Sequence, residues 1–213
     1  MRTLTLLMAL MLGLLTVPGE ENSSLAKKNG YVINLDRAEK LEKMTYSSLF
    51  SKAGIIVLED TDESLLGKVD KLEVCDNNLY VLEKGRGLFL FNKQGKFIKM
   101  IGRQGKGPGE YIDPDDISID RENKKIYVLD SQTQNVLKYS GNGTFESSFK
   151  LENKGTRSTF IQPFKNALYT NLYTFDKSGK RFLLSKVDVT NGKRISFQFE
   201  ASQYNKGWNE LFS

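Results

Sequence analysis

The 213-residue sequence predicts an all-β fold made of four-stranded antiparallel blades, and three observations support this prediction. First, the stretch NLYVLEKGRGLFLFNKQGKFIKMIG from Asn78 is repeated as KKIYVLDSQTQNVLKYSGNGTFESSFKL from Lys124. Second, each copy alternates short apolar runs with Gly-containing turns, which is typical of strands. Third, a weaker copy starts at Asn166 and has a longer insertion between its second and third strands. Four short strands recurring every 40 to 45 residues or so indicate β-propeller blades.

The repeats place three blades at about residues 68–101, 117–151 and 158–200, within a propeller region over 54–213. In the second blade, the alternation in KIYVLD and its neighbours predicts strands at 117–120, 125–130, 135–140 and 145–150. The turn sequences NKQG and SGNG fit hairpins that need positive φ. Upstream, residues 20–53 are predicted to hold a strand (YVINL) and a short helix within 37–51, and AGIIVLED at 53–60 reads as a further strand.

The first nineteen residues have the layout of a cleavable signal peptide. Arg2 precedes an apolar run over 4–17, and the short residues Val17 and Gly19 precede a cut expected after Gly19. The run is shorter than the roughly 20 residues that span a bilayer, so a retained anchor is the less favoured alternative. Because no cysteine stands at the cut, we expect an exported, periplasmic or extracellular protein that is not lipidated and keeps no transmembrane anchor.

The Gly-rich stretch IGRQGKGPGEY, residues 101–111, raises the question of a phosphate cradle. A P-loop needs Lys followed by Ser or Thr at the start of a helix, whereas Gly107 and Pro108 follow Lys106 and a strand is predicted next. The dinucleotide-binding spacing also fails. The stretch is therefore predicted to be a turn that links the outermost strand of one blade to the innermost strand of the next.

These residues resemble a known family. IGRQGKGPGEYIDPDDISID with the following KKIYVLD repeat is similar to the NHL-type, TolB-like six-bladed β-propellers secreted by Gram-negative bacteria, and IIVLEDTDESLLGKVDKLEV from Ile55 resembles the start of their first blade. The resemblance covers about residues 30–200 and implies six blades. About three are present, so we expect a partial propeller: either a truncated chain or a half-ring that self-associates through open blade edges. Many members have no established biochemical role, and the lipobox cysteine of many relatives is missing.

The available chemistry narrows the function. The chain has no histidine, which excludes His-dependent triads and His-ligated metals. Its one cysteine, Cys75, allows no intramolecular disulfide and is predicted to be buried in the core rather than to act as a nucleophile. The acidic stretch EYIDPDDISID at 110–120 departs from the EF-hand pattern, so turn formation is favoured, with calcium binding as the alternative. No other cofactor is indicated.

The basic stretch between Lys84 and Lys106 contains no acid after Glu83 and has two interpretations. Its charges either line the solvated side of strands or form a surface for polyanions or acidic glycans. Nucleic acid is disfavoured by the export signal.

Propeller geometry brings the links between blades and the turns between second and third strands to one face around the channel mouth, where function concentrates. We therefore predict a non-catalytic binding or scaffold role toward a protein, peptide or glycan. The alternative, which the family resemblance suggests, is a calcium-dependent lyase or lactonase-like hydrolase. No catalytic or metal-ligating residue is assigned. The candidate binding residues on this face are Lys84, Arg86, Arg103, Gln104, Glu110, Tyr111, Asp115, Asp116, Ser131, Gln132 and Gln134.

Overall fold

The computed structural model describes residues 45–152, 157–171, 174–175 and 180–200. The chain divides into two compact units, Met1–Val57 and Leu58–Ser213. In the first unit the described residues form one helical turn, α1 (Tyr46–Leu49). The predicted signal peptide, the predicted YVINL strand and most of the predicted helix lie outside the described residues. Within the described part, no helix is long and apolar enough to cross a membrane.

The second unit begins with two four-stranded antiparallel sheets, each in sequential order, which confirm the first two predicted blades. Blade one contains β1 (Lys71–Cys75), β2 (Asn78–Glu83), β3 (Gly87–Asn92) and β4 (Phe97–Ile101). Blade two contains β5 (Pro114–Asp120), β6 (Lys125–Asp130), β7 (Asn135–Ser140) and β8 (Phe145–Lys150). Three of the four strands predicted for blade two have the predicted bounds.

The third sheet is more irregular. It contains β9 (Ile161–Phe164), β10 (Ala167–Thr170), the two-residue β11 (Thr174–Phe175), β12 (Arg181–Asp188) and β13 (Arg194–Glu200). Strands β9, β10, β12 and β13 pair in that order, and β11 pairs with the start of β12. The predicted insertion between the second and third blade strands therefore lies between β10 and β12, where β11 adds a short strand.

The blades share the turn between their last two strands. Gly95, Gly143 and Gly192 occupy it with φ of 85°, 79° and 73°, a conformation that glycine adopts without strain. In each blade the amide of this glycine donates a hydrogen bond back to the turn's first residue, at 2.8 to 3.0 Å. The repeat seen in the sequence thus corresponds to a repeated turn.

Neighbouring blades pack face to face. Tyr80 and Leu82 of β2 pack in one cluster with Ile126 and Val128 of β6. At the next interface Tyr127 and Leu129, the residues of β6 equivalent to Tyr80 and Leu82, pack in one cluster with Ile161, Leu168 and Val187 of blade three. Burial of these apolar faces is the main force that holds the blades together. The three sheets therefore form a partial β-propeller, as predicted.

The two end faces of the stack differ. The outer face of blade one, with Val81 and Phe89, is covered by Leu58, Leu66 and Val69 from the chain before β1. The segment before β1 therefore folds back over this face and shields it from solvent. On blade three, Phe164 and Ile195 are 58% and 55% exposed.

Two sequence-based boundaries were wrong. Residues 53–60 form no strand; the amide of Glu59 donates to the Gly95 carbonyl, and its carboxylate accepts from the Phe97 amide at 2.8 Å. These isolated bonds replace a strand ladder. The innermost strand of blade two starts at Pro114 rather than at residue 117, because a register shift at Asp115 lets the pairing with β6 continue past that residue.

Candidate functional site

The link between blades one and two, residues 102–113, is named the connector. It lies beside two turns: Gln104 Nε2 donates to the Gly85 carbonyl at 2.8 Å, and the Ser131 amide donates to the Asp113 carbonyl at 3.1 Å. We call the surface formed by residues 84–86, the connector, the first residues of β5 and residues 131–134 the connector face. The predicted candidate residues therefore belong to one continuous part of the molecule.

The connector folds around its own carboxylate, that of Glu110. This carboxylate accepts hydrogen bonds from the Gly107 amide at 2.8 Å and from Arg103 Nε at 2.6 Å. The Gly107 bond, followed by the Arg103 bond, lowers the pKa of Glu110. Gly109, with φ of 73°, reverses the chain just before Glu110. Because Gly107 donates to an internal acid, the structure supports the turn interpretation over the phosphate cradle.

Tyr111 was expected on the solvent side, and this expectation was wrong. Its ring is fully buried in the core between blades one and two. Its hydroxyl accepts from the Leu88 amide at 3.1 Å and donates to the Ile101 carbonyl at 3.0 Å. Burial raises the pKa of Tyr111. The residue therefore fastens the connector to the end of blade one.

The register shift at the start of β5 sends two consecutive acids toward different partners. Asp115 pairs with Lys84 at 2.6 Å, and this hydrogen bond raises the pKa of Lys84. Asp116 is buried, accepts from Lys71 Nζ at 2.7 Å and from the Ile161 amide at 2.8 Å, and thereby joins all three blades. Asp116, expected on the exposed face, is instead buried, and its two donors offset the cost of burying a carboxylate.

Arg86 lies across the turn between β2 and β3. Its guanidinium donates to the carbonyl of Leu65, pairs with Glu83 Oε2 at 3.1 Å and stands 5.1 Å from the centre of the Phe89 ring. Glu83 also accepts from the Gly67 amide at 3.3 Å. The planar guanidinium is thus oriented by three different contacts, and its side chain is still 40% exposed.

The turn after β6 holds Ser131, Gln132 and Gln134, of which only Gln132 is exposed. The carboxamide of Gln134 donates to the Ser131 and Ser158 carbonyls, and its oxygen accepts from the Ser158 amide at 2.7 Å. The predicted exposure of Ser131 and Gln134 was wrong, because this carboxamide links the turn to the chain before β9. Arg157 donates to the Ser131 carbonyl at 2.6 Å.

The acid at the end of β6, Asp130, is a further internal anchor. Its carboxylate accepts from the Ile112 amide at 2.7 Å and from the Gln132 and Thr133 amides at 3.0 and 3.1 Å. It is buried, and its three bonds join the end of the connector to the turn after β6. The equivalent acid of blade one is Glu83, which accepts from the Gly67 amide before β1. Glu83 and Asp130, the last residues of the two repeated strands, therefore hold the neighbouring loops in place.

Sequence reasoning missed the polar side chains of the innermost strands. Lys71 of β1 bonds to Asp116 of β5 and stands 5.8 Å from the Phe160 ring centre, just before β9. Glu73, two residues further along β1, is 3.7 Å from Arg121, and burial raises its pKa. The period-two pattern of Lys71 and Glu73 in KLEVC is the signal that could have indicated them.

An open groove of about 610 Å³ adjoins the connector. One wall is the glycine-rich part of the connector with Lys106, and the opposite wall comes from β7 and β8. Its neutral polar lining is Thr133, Asn135, Ser147 and Ser148, and its apolar lining includes Leu137 and Phe145. The groove combines a few polar groups with apolar surface, as ligand sites commonly do.

No group of three or more acidic, cysteine or histidine side chains that could hold a metal ion occurs within the described ranges. Calcium binding stays a prediction. Cys75 is buried, as expected, and burial raises the pKa of its thiol, which disfavours the reactive thiolate.

The sheets and the connector face define the chain as a propeller-type protein with a loop-built surface over the junction between its blades. The chain belongs to the family described as Domain of unknown function (DUF4934), which matches residues 30–212.

No curated protein matches the chain. A Bacteroides fragilis protein described as exported has a similar solved structure, with a TM-score of 0.58 and 26% identity, over 67% of this chain and 40% of its own. The structure of Myxococcus xanthus glutaminyl cyclase matches with a TM-score of 0.45 and 14% sequence identity, over 67% of this chain and 57% of its own. The structure of a Bacteroides caccae protein of unknown function matches with a TM-score of 0.42 and 14% sequence identity, over 61% of this chain and 48% of its own. The chain thus spans about half the length of these structures.

Proposed function

We propose that the chain is an extracytoplasmic, non-catalytic binding or scaffold module that recognises a protein, peptide or glycan through the connector face. One observation carries this proposal: the loops of that face are fixed by internal hydrogen bonds, while Lys84, Arg86 and Gln132 remain available to solvent. A rigid scaffold that presents polar groups on loops is a common way to build a binding surface, because little conformational entropy is lost on binding.

Export is supported by two observations. The apolar run over residues 4–17 follows Arg2, as in signal peptides, and the similar Bacteroides fragilis protein is described as exported. We expect mass spectrometry of the protein from an expressing bacterium to show an N-terminus near Glu20 and no lipid. An intact Met1 in a cytoplasmic fraction would contradict export.

The carboxylates of the connector face favour binding over catalysis. Glu110, Asp116 and Asp130 each accept at least one backbone amide, so each holds a loop or strand end in place. A general base must be free to take up a proton from the substrate. A calcium titration followed by thermal unfolding tests the enzyme alternative: a large rise in melting temperature with calcium, with turnover of a lactone or polysaccharide, would favour it.

We further propose that the family is a branch of the NHL-type six-bladed propellers. The repeated YVL strand core, the shared glycine turn and the connector support this relationship. A solved structure of a longer family member should contain six blades around one channel, and a different blade number would refute this assignment.

The binding role is tested by screening the full chain on arrays of glycans and peptides. We expect a ligand whose binding is lost in a variant with Lys84→Ala and Gln132→Ala, both on the connector face. The matched control is Lys124→Ala, on the opposite edge of the sheets, which should bind normally. Loss of binding in the control alone would place the ligand elsewhere, and chemical conversion of the ligand would replace a binding role with a catalytic one.

A further inference from the structure

We propose that the ligand of the connector face is an acidic polysaccharide, an inference that rests on the binding role proposed above. The first observation is a consistent orientation of ion pairs. On and beside this face, four pairs have a base that is 40 to 80% exposed and an acid that is only 10 to 18% exposed: Lys68–Asp70, Lys84–Asp115, Arg86–Glu83 and Arg103–Glu110. Solvent therefore meets mainly cations at this surface.

The acids are held inward by the backbone. Asp70 accepts from the Lys84 amide at 2.9 Å, Glu83 accepts from the Gly67 amide, and Glu110 accepts from the Gly107 amide. The opposite edge of the sheets is mixed: in the pair Lys124–Asp76 the two side chains are 72% and 66% exposed, whereas in Arg121–Glu73 they are 60% and 21% exposed. The opposite edge therefore also presents an exposed acid, Asp76, which none of the four pairs near the connector face does.

The cations are also close together in the fold. Lys84 and Arg86 flank Gly85, whose carbonyl receives the Gln104 carboxamide, and Arg103 precedes that glutamine. Asp70 joins Lys68 to the same turn, because it contacts both Lys68 and the Lys84 amide. Closely spaced cations attract a polyanion more strongly than scattered ones, and guanidinium groups match carboxylate and sulfate geometry.

The groove beside the connector favours a saccharide over other polyanions. Lys106 stands on its connector wall, while Asn135, Ser147 and Ser148 supply amide and hydroxyl groups from the opposite wall. Phe145 adds an aromatic ring to the lining, and the carboxylates of Glu110 and Asp130, which also line the groove, are bonded to backbone amides. Hydroxyl and amide groups around an aromatic ring suit the hydroxyls and the apolar faces of sugar rings, and the cationic surface next to them suits acidic substituents.

The test is a titration of the full chain with polygalacturonate, which is carboxylated, heparin, which is sulfated, and dextran, which is neutral. We expect at least one acidic polymer to bind and dextran not to bind. Binding should weaken about tenfold or more between low and physiological salt, because exposed charges are screened. The variant Lys68→Gln with Lys106→Gln should weaken binding about tenfold. The charge-matched control, Lys93→Gln with Lys124→Gln, removes two exposed lysines from the opposite edge and should stay within about twofold of wild type.

A second variant separates the groove from the charges. Ser148 is exposed on β8, so Ser148→Leu should leave folding intact while it narrows the groove. We expect it to weaken the bound polysaccharide several-fold without changing the salt dependence. Failure of both acidic polymers to bind would overturn the inference, as would an equal loss of binding in the control Lys93→Gln with Lys124→Gln. Tighter binding of phosphatidylglycerol vesicles or of a DNA oligonucleotide would also overturn it. A neutral array ligand that requires Lys84 would overturn it too, yet would leave the binding role intact.

Discussion

The substitution Tyr111→Phe removes one oxygen atom from the centre of the junction between the connector and blade one. That oxygen accepts from the Leu88 amide at 3.1 Å and donates to the Ile101 carbonyl at 3.0 Å, and the ring is fully buried. Its loss leaves two buried backbone groups without this partner. At about 1–2 kcal/mol for each group, the free energy of unfolding should fall by about 2–4 kcal/mol. The phenylalanine ring keeps the packing, so little of this loss comes from a cavity.

Urea unfolding of the full chain, followed by far-ultraviolet circular dichroism, measures this difference. We expect a lower midpoint with an unchanged denaturant slope, since the folded structure itself is retained. The control is Tyr169→Phe, whose ring is partly exposed and packs edge-on against Phe164; it should change stability by less than about 0.5 kcal/mol. If Tyr111→Phe were as stable as this control, the assigned hydroxyl bonds would be wrong.

Two further predictions concern pH. Burial raises the pKa of Tyr127 to about 12 and also raises that of Tyr139, so above pH 10 the unfolded chain loses protons that the folded chain keeps. Stability should therefore fall by about 1.4 kcal/mol per pH unit for each such tyrosine between pH 10 and about 12, and a flat urea midpoint over this window would contradict the burial. The Gly107 amide and Arg103 lower the pKa of Glu110, so the connector bonds persist at neutral pH and are lost as pH falls through the folded pKa. The protection factor of the Gly107 amide, which compares its exchange rate with the intrinsic rate at the same pH, should fall there, and Glu110→Gln should abolish this acid step.

The blades could be predicted from the sequence because their signals are local. Alternation in KIYVLD and the glycine turn of SGNG depend on residues close in the chain, and β6, β7 and β8 have the predicted bounds. The third blade was harder to place, since its insertion separates the paired strands β10 and β12. A strand was wrongly predicted at 53–60 because the apolar composition of this segment is typical of a strand, although its backbone pairs with no neighbouring strand.

The candidate face was predicted as a region, but not residue by residue. Which side chains point outward depends on contacts between distant residues: Tyr111 reaches Leu88, Gln134 reaches Ser158, and Asp116 reaches Ile161. Such tertiary partners leave no mark in local sequence. The register shift at Asp115 could not be predicted from the local sequence either, because a β-bulge depends on the strand it pairs with as much as on its own residue.

Two tyrosines hold the connector between the blades. Tyr111, in the connector itself, is buried in the core next to blade one, and the hydroxyl of Tyr139 in blade two donates to the Gly109 carbonyl at 3.0 Å. This arrangement has a mechanical consequence. A polymer attached at the connector and pulled from outside would load both sheets at once, so the bonds would be strained together rather than one after another. The link between the blades should therefore behave as a stiff joint under tension.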